Sequence, residues 1–501
     1  MIAQTRSGKV EGLERRGVLQ FRGIPFAAPP VGPLRWLPPR REERWDGVRD
    51  ATRFSPESAQ GKFAMNALTG APETVKSEDS LYLNVWTPAC DDARRPVLVW
   101  IHGGAFAFGS GSTPWYDGTN FARNGDVVVV TINYRLGPLG YLHLADLFGD
   151  EFEGSGNLGV LDQVAALEWV RDSIAGFGGD PDDVTIFGES AGGGSVGTLL
   201  GTPAATGMFR KAVAQSGAAS WWASREGATE ITAALISRLG IGPGDAEALR
   251  ALGWEQLVAA STELGMAVGN GRLPFQPVVD GVVLPRPPLE LVAAGNAAGV
   301  HLVVGTNRHE MTLFNLIDPS LAQADDAAIA QRVERFAPRD PAALLAEYRS
   351  RRPGASSAEV WTDLASDAVF RLPAIHHAEH QLPHAPVWMY LFTWETPVFG
   401  GVLRSTHALE IPFVFDNLDR EGVEMFTGTG PDRGELARRM HAAWIAFART
   451  GDPNHPELPE WPRYDTVRRP TMRFDTRCEV LEDPMGDDRR SWSSQPRRGA
   501  A

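Results

Sequence analysis

Short β-branched apolar runs alternate along this chain with longer stretches whose apolar residues recur every third or fourth position. Val97–Ile101, Val127–Asn133, Val184–Phe187 and Leu302–Gly305 are largely apolar runs, the pattern of strands covered on both faces. Between the second and third, Leu161, Val164, Leu167, Val170 and Ile174 fall on one helical stripe. Strand, helix and strand at this spacing predict right-handed crossovers and an α/β fold with a mainly parallel central sheet. Ligands of such sheets bind beyond the carboxyl ends of the strands, so those loops are where chemistry is sought.

No internal repeat or low-complexity linker divides the chain. The Pro/Gly clusters at Pro29–Pro39 and Pro285–Pro288 read as surface crossings within one domain spanning residues 1–485. Residues 320–385 are polar with a helical pattern and predict a lid or side subdomain. The stretch from Gly486 to Ala501 is rich in Arg, Ser and Gly and is expected to fray.

Composition narrows the function classes. A chain of 501 residues that is 43% hydrophobic can bury a large core. Its net charge is −14, and only Lys9, Lys62, Lys76 and Lys211 are lysines. Such a surface repels phosphate backbones, so a nucleic-acid partner is not expected. Cys90 and Cys478 are too few for a disulfide scaffold. Met1–Gly12 lacks a signal-peptide pattern, and no stretch approaches 18 uncharged apolar residues. The expectation is a cytoplasmic protein without a membrane partner, a monomer or weak homo-oligomer. No P-loop or dinucleotide fingerprint appears, and no cofactor is implied.

Two stretches match G-x-S-x-G: Gly188-Glu-Ser190-Ala-Gly192 and Gly193-Gly-Ser195-Val-Gly197. Only Ser190 directly follows a predicted strand and precedes a predicted helix. That context places it on a tight strand-to-helix corner, strained and exposed as a nucleophile. Ser195 would lie more than a turn into the helix.

Trp100-Ile-His-Gly103-Gly104-Ala105-Phe106 follows the strand Val97–Ile101. A Gly-rich turn there can aim backbone N–H groups inward, where they would stabilise the oxygen of a tetrahedral intermediate. His102 belongs to this turn and precedes the serine, so packing suits it better than a base role. In α/β-hydrolases the chain order is serine, acid, histidine. Glu310 ends the segment His301–Glu310, just past the predicted strand Leu302–Gly305, where an acid belongs. His407 lies in a loop after the strand-like Val387–Thr393; His441 falls inside a helical stripe and His455 in a Pro-rich turn. Position therefore favours Ser190, Glu310 and His407. A competing pattern, His376-His-Ala-Glu379-His380, fits H-x-x-E-H and would put His376 and His380 on one helical face as zinc ligands. Its alternative is a solvated helix face.

Together the motifs resemble the type-B carboxylesterase and cholinesterase family of the α/β-hydrolase fold. The resemblance runs from Gly8 to about Asp475. Its markers are Phe21-Arg-Gly-Ile-Pro25, Glu78-Asp-Ser-Leu-Tyr-Leu-Asn84, Gly103-Gly104, Asn133-Tyr-Arg-Leu-Gly137, Gly188-Glu-Ser-Ala-Gly192, Gln215-Ser-Gly217, Gly305-Thr-Asn307, His407 with Glu410-Ile-Pro-Phe413, and Thr450-Gly-Asp-Pro453. It implies a serine carboxylesterase with helical insertions around an active-site gorge. The implied triad is Ser190, Glu310 and His407, and the implied oxyanion donors are Gly104, Ala105 and Ala191, with Gly103 freeing the turn. Arg35–Glu78 and Arg135–Asp162 are implied as structural ion pairs, and Ser216 as a supporting residue. Small esters are the implied substrates; carbamate or amide cleavage by the same triad is the nearest alternative.

Departures from the family also inform. Its first disulfide would join the positions of Ser58 and Ser80; both cysteines are absent here, and that loss agrees with a reducing compartment. The loop between them lacks the tryptophan on which cholinesterases seat a quaternary ammonium, and Leu313 replaces an aromatic. Choline esters are thus poor candidates. Trp221, Trp222, Phe314 and Phe399 line an apolar pocket or pack in the core, and Met311 replaces a glycine common after the acid.

Overall fold

The computed structural model describes residues 1–62, 74–268, 273–316, 318 and 320–495. Most of the loop between Ser58 and Ser80 lies outside these residues. Among the described residues the main sheet has eleven strands. From edge to edge they are Leu13–Arg15, Val18–Pro25, Tyr82–Thr87, Val128–Ile132, Arg95–Ile101, Gly179–Glu189, Lys211–Gln215, His301–Asn307, Val387–Phe392, Pro470–Phe474 and Glu479–Glu482. Pairings from Val128–Ile132 across to Pro470–Phe474 are parallel, and the outer ones are antiparallel. All four predicted strands lie in this parallel centre.

Alternation along the strands builds two apolar layers. Val97, Val99, Ile101, Ile186, Ala214 and Val304 face one core, shared with Leu167 and Val170 of the helix Leu158–Ser173. Leu98, Trp100, Phe187, Val213 and Val303 face the other, shared with Phe121 and with Trp444 and Phe447 of the helix Asp432–Thr450. Burying each such side chain is worth about 1.5–3 kcal/mol. A one-residue slip would exchange the faces, so packing on both sides fixes the register. Buried ion pairs tie loops to this frame: Arg135 meets Asp162 through two guanidinium nitrogens, and Arg35 meets Glu78 at 2.6 Å.

The stretch 320–385 is helical. Asp326–Val333, Pro341–Ser350 and Ser357–Ser366 pack around their own cluster of Ile329, Val333, Leu344, Tyr348, Val360, Trp361 and Leu364. Ser356 and Glu359 form a capping box at the start of the last helix. That helix continues through a π-helical turn, Asp367–Arg371, into Leu372–Gln381. Pro373 supplies the reason: it offers no N–H and its ring crowds the carbonyl four residues back, so the preceding turn widens.

One expectation is corrected. The chain does not fray at Gly486; Gly486–Ser491 is a helix, followed by a 3-10 turn at Trp492–Ser494. It is anchored on its inner side: buried Asp488 accepts bonds from Arg351 and Arg352, and Trp492 Nε1 donates to Tyr348 Oη at 2.8 Å. Composition alone does not reveal such partners. Residues 496–501 of that expected tail lie outside the described residues. Among the described residues, no helix is long and apolar enough to cross a membrane.

Candidate active site

The strand Gly179–Glu189 ends in a sharp corner at Ser190, and the helix Ala191–Leu200 begins immediately. Ser190 adopts φ 57°, ψ −124°, a conformation an L-residue holds only when its surroundings impose it. Gly192 permits the close approach that does so: a Cβ there would lie 2.0 Å from the Ile101 carbonyl oxygen. Two bonds lock the corner, Ser190 N–H to the Gln215 carbonyl at 2.9 Å and Gly194 N–H to the Ser190 carbonyl at 2.8 Å. Ser190 remains partly open to solvent. Ser195, by contrast, is fully buried in the helix and accepts a bond from Gln163.

The turn after Ile101 runs against this corner. A Cβ on Gly103 would lie 3.0 Å from Ser190 Cβ. Gly104 has φ 115°, with Ala105 and Phe106 also left-handed, and the Gly104 carbonyl accepts from the N–H groups of Ala107 and Phe108. Among the described residues the N–H groups of Gly104 and Ala105 donate to no protein group, which leaves them free for a ligand oxygen. His102 is buried, stacked on Tyr134 with its Nδ1 2.8 Å from the Gly103 carbonyl, and burial pushes its pKa down to about 4. It is a packed, neutral residue.

Glu310 and His407 come together from loops following neighbouring strands, His301–Asn307 and Val387–Phe392. His407 Nδ1 lies 2.6 Å from Glu310 Oε2, while Glu310 Oε1 accepts the Asn307 N–H at 2.7 Å. This fixes the tautomer: the proton on Nδ1 points to the carboxylate, and Nε2 is left to exchange one. Nε2 faces the residue preceding Ser190, with Glu189 Oε1 at 3.2 Å. Among the described residues no hydrogen bond joins Nε2 to Ser190 Oγ; catalytic bonds commonly tighten only when substrate is bound.

Two carboxyls not singled out as site residues complete the cluster. Glu189 is the variable position of G-x-S-x-G. Glu410 falls one helical turn after His407, and its oxygens accept from Asn307 Nδ2 at 2.7 Å and Gln215 Nε2 at 3.2 Å. Burial, with neighbouring carboxylates adding, raises Glu189 well above the usual range and Glu410 to about 7. Burial alone would lower His407, but Glu189 and the Glu310 hydrogen bond outweigh it and hold its pKa at about 9. The spacing of Glu410 from His407 was a readable signal; the position of Glu189 was visible but carried no chemical mark.

Aromatic walls flank the imidazole. Phe314 and Phe370 lie 5.1 Å and 4.9 Å from the His407 ring, and Trp221 meets Phe370 edge-on at 5.7 Å. Phe370, which the sequence reading missed, is delivered by the π-helical turn. Trp222 is half-buried, and Phe399 is 57% exposed on a left-handed turn, so neither is core. Leu313 is buried in the second core, and Met311 packs towards the side helices. Ser216 is buried at φ 45°; its N–H donates to the Gly305 carbonyl, and its hydroxyl makes no hydrogen bond among the described residues.

The zinc alternative is not supported. Glu379 pairs with Arg469 at 2.6 Å, and His380 Nδ1 lies 2.6 Å from the His376 carbonyl. Among the described residues no group of three His, Cys, Asp or Glu side chains is placed to hold a metal ion. A ligand pair sharing a helix face lacks the third donor that chemistry requires. Where the family's disulfide would lie, Ser58 Oγ donates to Ser80 Oγ at 3.0 Å.

A parallel sheet with a strained serine at one strand end, and a histidine from beyond the third strand further on bound to a carboxylate from beyond the second, defines a hydrolase of the α/β-hydrolase fold. Comparison with known proteins narrows that class. The model of the carboxylesterase family matches residues 1–490. The para-nitrobenzyl esterase of Bacillus subtilis is 41% identical over 97% of each chain. A phenmedipham hydrolase of Pseudarthrobacter oxydans is 39% identical over 92% of each. A carboxylesterase structure from Geobacillus stearothermophilus superposes with a TM-score of 0.90 at 45% identity, covering 98% of this chain and all of that one. The chain belongs to the carboxylesterase family and is a serine carboxylesterase, hydrolysing carboxylic esters to acid and alcohol.

Proposed function

We propose that Ser190, His407 and Glu310 form the catalytic triad. His407 Nε2 removes the proton from Ser190 Oγ as the oxygen bonds to the ester carbonyl carbon. The carbonyl oxygen becomes an oxyanion, held by the N–H groups of Gly104, Ala105 and Ala191, with Gly103 giving the turn its freedom. On collapse the C–O bond to the alcohol breaks, and His407 returns the proton to the leaving oxygen. Water then repeats the attack on the acyl-enzyme with the same histidine as base. Glu310 holds the imidazole tautomer and stabilises the imidazolium. The observation that carries this reading is the 2.6 Å bond from Glu310 to His407, in a ring whose other nitrogen faces the Glu189–Ser190 corner.

Ser190→Ala tests it. Expected is a fall in kcat of about 10⁴-fold or more with an unchanged melting temperature; near-normal esterase activity would overturn the assignment. Phe314, Trp221 and Trp222 line the apolar acyl or alcohol pocket, and Ser216 supports the triad from behind. Residues 1–485 form the catalytic unit, with 320–385 as a side subdomain over the pocket. p-Nitrophenyl esters of increasing chain length, a carbamate and an anilide define the substrate range. The protein works in the cytoplasm, a reading supported by two unpaired cysteines and the Ser58–Ser80 hydrogen bond, and as a monomer or weak homo-oligomer.

A further inference from the structure

Two chains of polar contacts start on the C-terminal segment 488–492 and end on two elements beside the His407 site. The first is a ladder of alternating charge. Asp488 accepts from Arg352 Nη2 at 2.6 Å and Nη1 at 3.1 Å; Arg352 Nε donates to Asp363 at 2.5 Å; Asp363 takes both Arg308 Nη atoms at 3.0 Å. Arg308 sits in the turn from Asn307 to Glu310, the turn that aims Glu310 at His407. The second chain runs from Trp492 Nε1 to Tyr348 Oη at 2.8 Å, from Tyr348 Oη to Asp367, and from Arg371 Nε to Asp367 at 2.6 Å. Asp367 and Arg371 bracket the π-helical turn whose Phe370 lies against the His407 ring.

We propose that the C-terminal helix is a latch for the active site. Asp488 and Trp492 are positioning residues: the first holds the acid-bearing turn in register, and the second holds the aromatic wall on the imidazole. Burial gives the arrangement its force. Asp488, Asp363, Asp367, Arg371 and Tyr348 are buried and Arg352 and Arg308 are largely shielded, so removing the charge of one member unbalances the next, which must shift towards its remaining partner rather than turn to water. The disturbance therefore passes along the ladder instead of dissipating in water. Glu310 tolerates little of it, because its short bond to His407 sets the orientation of the base.

The proposal rests on the triad assigned above. Its test is Asp488→Asn, Trp492→Phe and Arg308→Gln, with Asp488→Glu as the conservative control, assayed on a small ester well below the melting temperature of each. Asp488→Asn is expected to lower kcat about tenfold while KM stays within about twofold, because misalignment of a catalytic group acts on the chemical step. Asp488→Glu should recover most of the loss. Asp488 and Arg308 do not touch, yet their double variant should lose less than the product of the two single losses, as members of one chain. Trp492→Phe should lower kcat less and alter the preference between short and long acyl chains, because it releases the Phe370 wall. Variants that melt earlier but keep wild-type kcat would show a stabilising helix only and overturn the latch. Should Asp488→Asn not fold, Arg308→Gln and Trp492→Phe carry the test, with wild-type kcat in both counting against the proposal. Normal activity in Ser190→Ala and Glu310→Gln would instead sink the triad, a distinguishable failure.

Discussion

His407 Nδ1 and Glu310 Oε2 stand 2.6 Å apart, although 97 residues separate them in the chain. Neighbouring parallel strands, His301–Asn307 and Val387–Phe392, bring their following loops together. The Asn307 N–H then holds the second carboxylate oxygen, so the acid cannot turn away. Replacing Glu310 by Gln keeps the shape and removes the charge. The imidazolium formed on proton transfer then loses its partner, and the amide can favour the wrong tautomer. A drop in kcat of about 10²–10⁴-fold is expected, with little change in KM. Steady-state kinetics on a p-nitrophenyl ester check it.

Gly104 tests the oxyanion turn. Its φ of 115° strains any L-residue, and a Cβ would meet the Phe108 carbonyl oxygen at 2.2 Å. Gly104→Ala should therefore swing its N–H out of line. Loss of one such donor lowers kcat about 10²–10³-fold. Binding of a ground-state ester should change far less, which a kcat and KM comparison resolves.

The proton balance of the His407 cluster gives opposite pH trends for activity and stability. His407 is raised from 6.5 to about 9, Glu410 to about 7, and Glu189 upward as well. Every shift is upward, so the folded state binds more protons than the unfolded chain. The stability these groups contribute is complete below their unfolded values and declines as pH rises towards about 9. Activity needs neutral His407 and should rise over that same interval. The groups titrate as one coupled cluster. Melting curves from pH 6 to 9 should show wild type losing more stability than His407→Gln, and kcat/KM should fall on the acid side; a flat acid limb down to pH 4.5 would contradict a histidine base.

Metal independence separates the two hydrolytic chemistries read from the sequence. Arg469 engages Glu379, and His380 is turned to a backbone carbonyl. Incubation with a chelator, and the double change His376→Ala with His380→Ala, should both leave kcat within about twofold, since neither removes a group of the serine mechanism. A loss on chelation restored by zinc would revive the alternative.

Much of this architecture was legible because it rests on local rules. Val97–Ile101 and Leu302–Gly305 are short, β-branched and apolar on both faces, the pattern of a covered parallel strand, and Ser190 followed such a run at a glycine-flanked corner. Chain order then singled out Glu310 and His407. What the sequence hid depends on distant partners. Asp488 and Trp492 looked like a polar tail because their partners, Arg352 and Tyr348, lie well over a hundred residues away. Phe370 was unreadable as a pocket wall because a π-helical turn, not α-helical spacing, sets its direction. Glu189 lay in plain view within the serine motif, but its raised proton affinity arises from burial, with Glu410 and Glu310 adding, and only the fold brings these about.

The most direct measurement is covalent. The purified protein is treated with a fluorophosphonate, digested and mapped by mass spectrometry. One phosphonyl group on the peptide containing Ser190, appearing as esterase activity disappears and absent from the His407→Ala protein, is the expected result. Complete loss of activity with Ser190 unmodified, or with the label on another serine, would contradict the mechanism at its root.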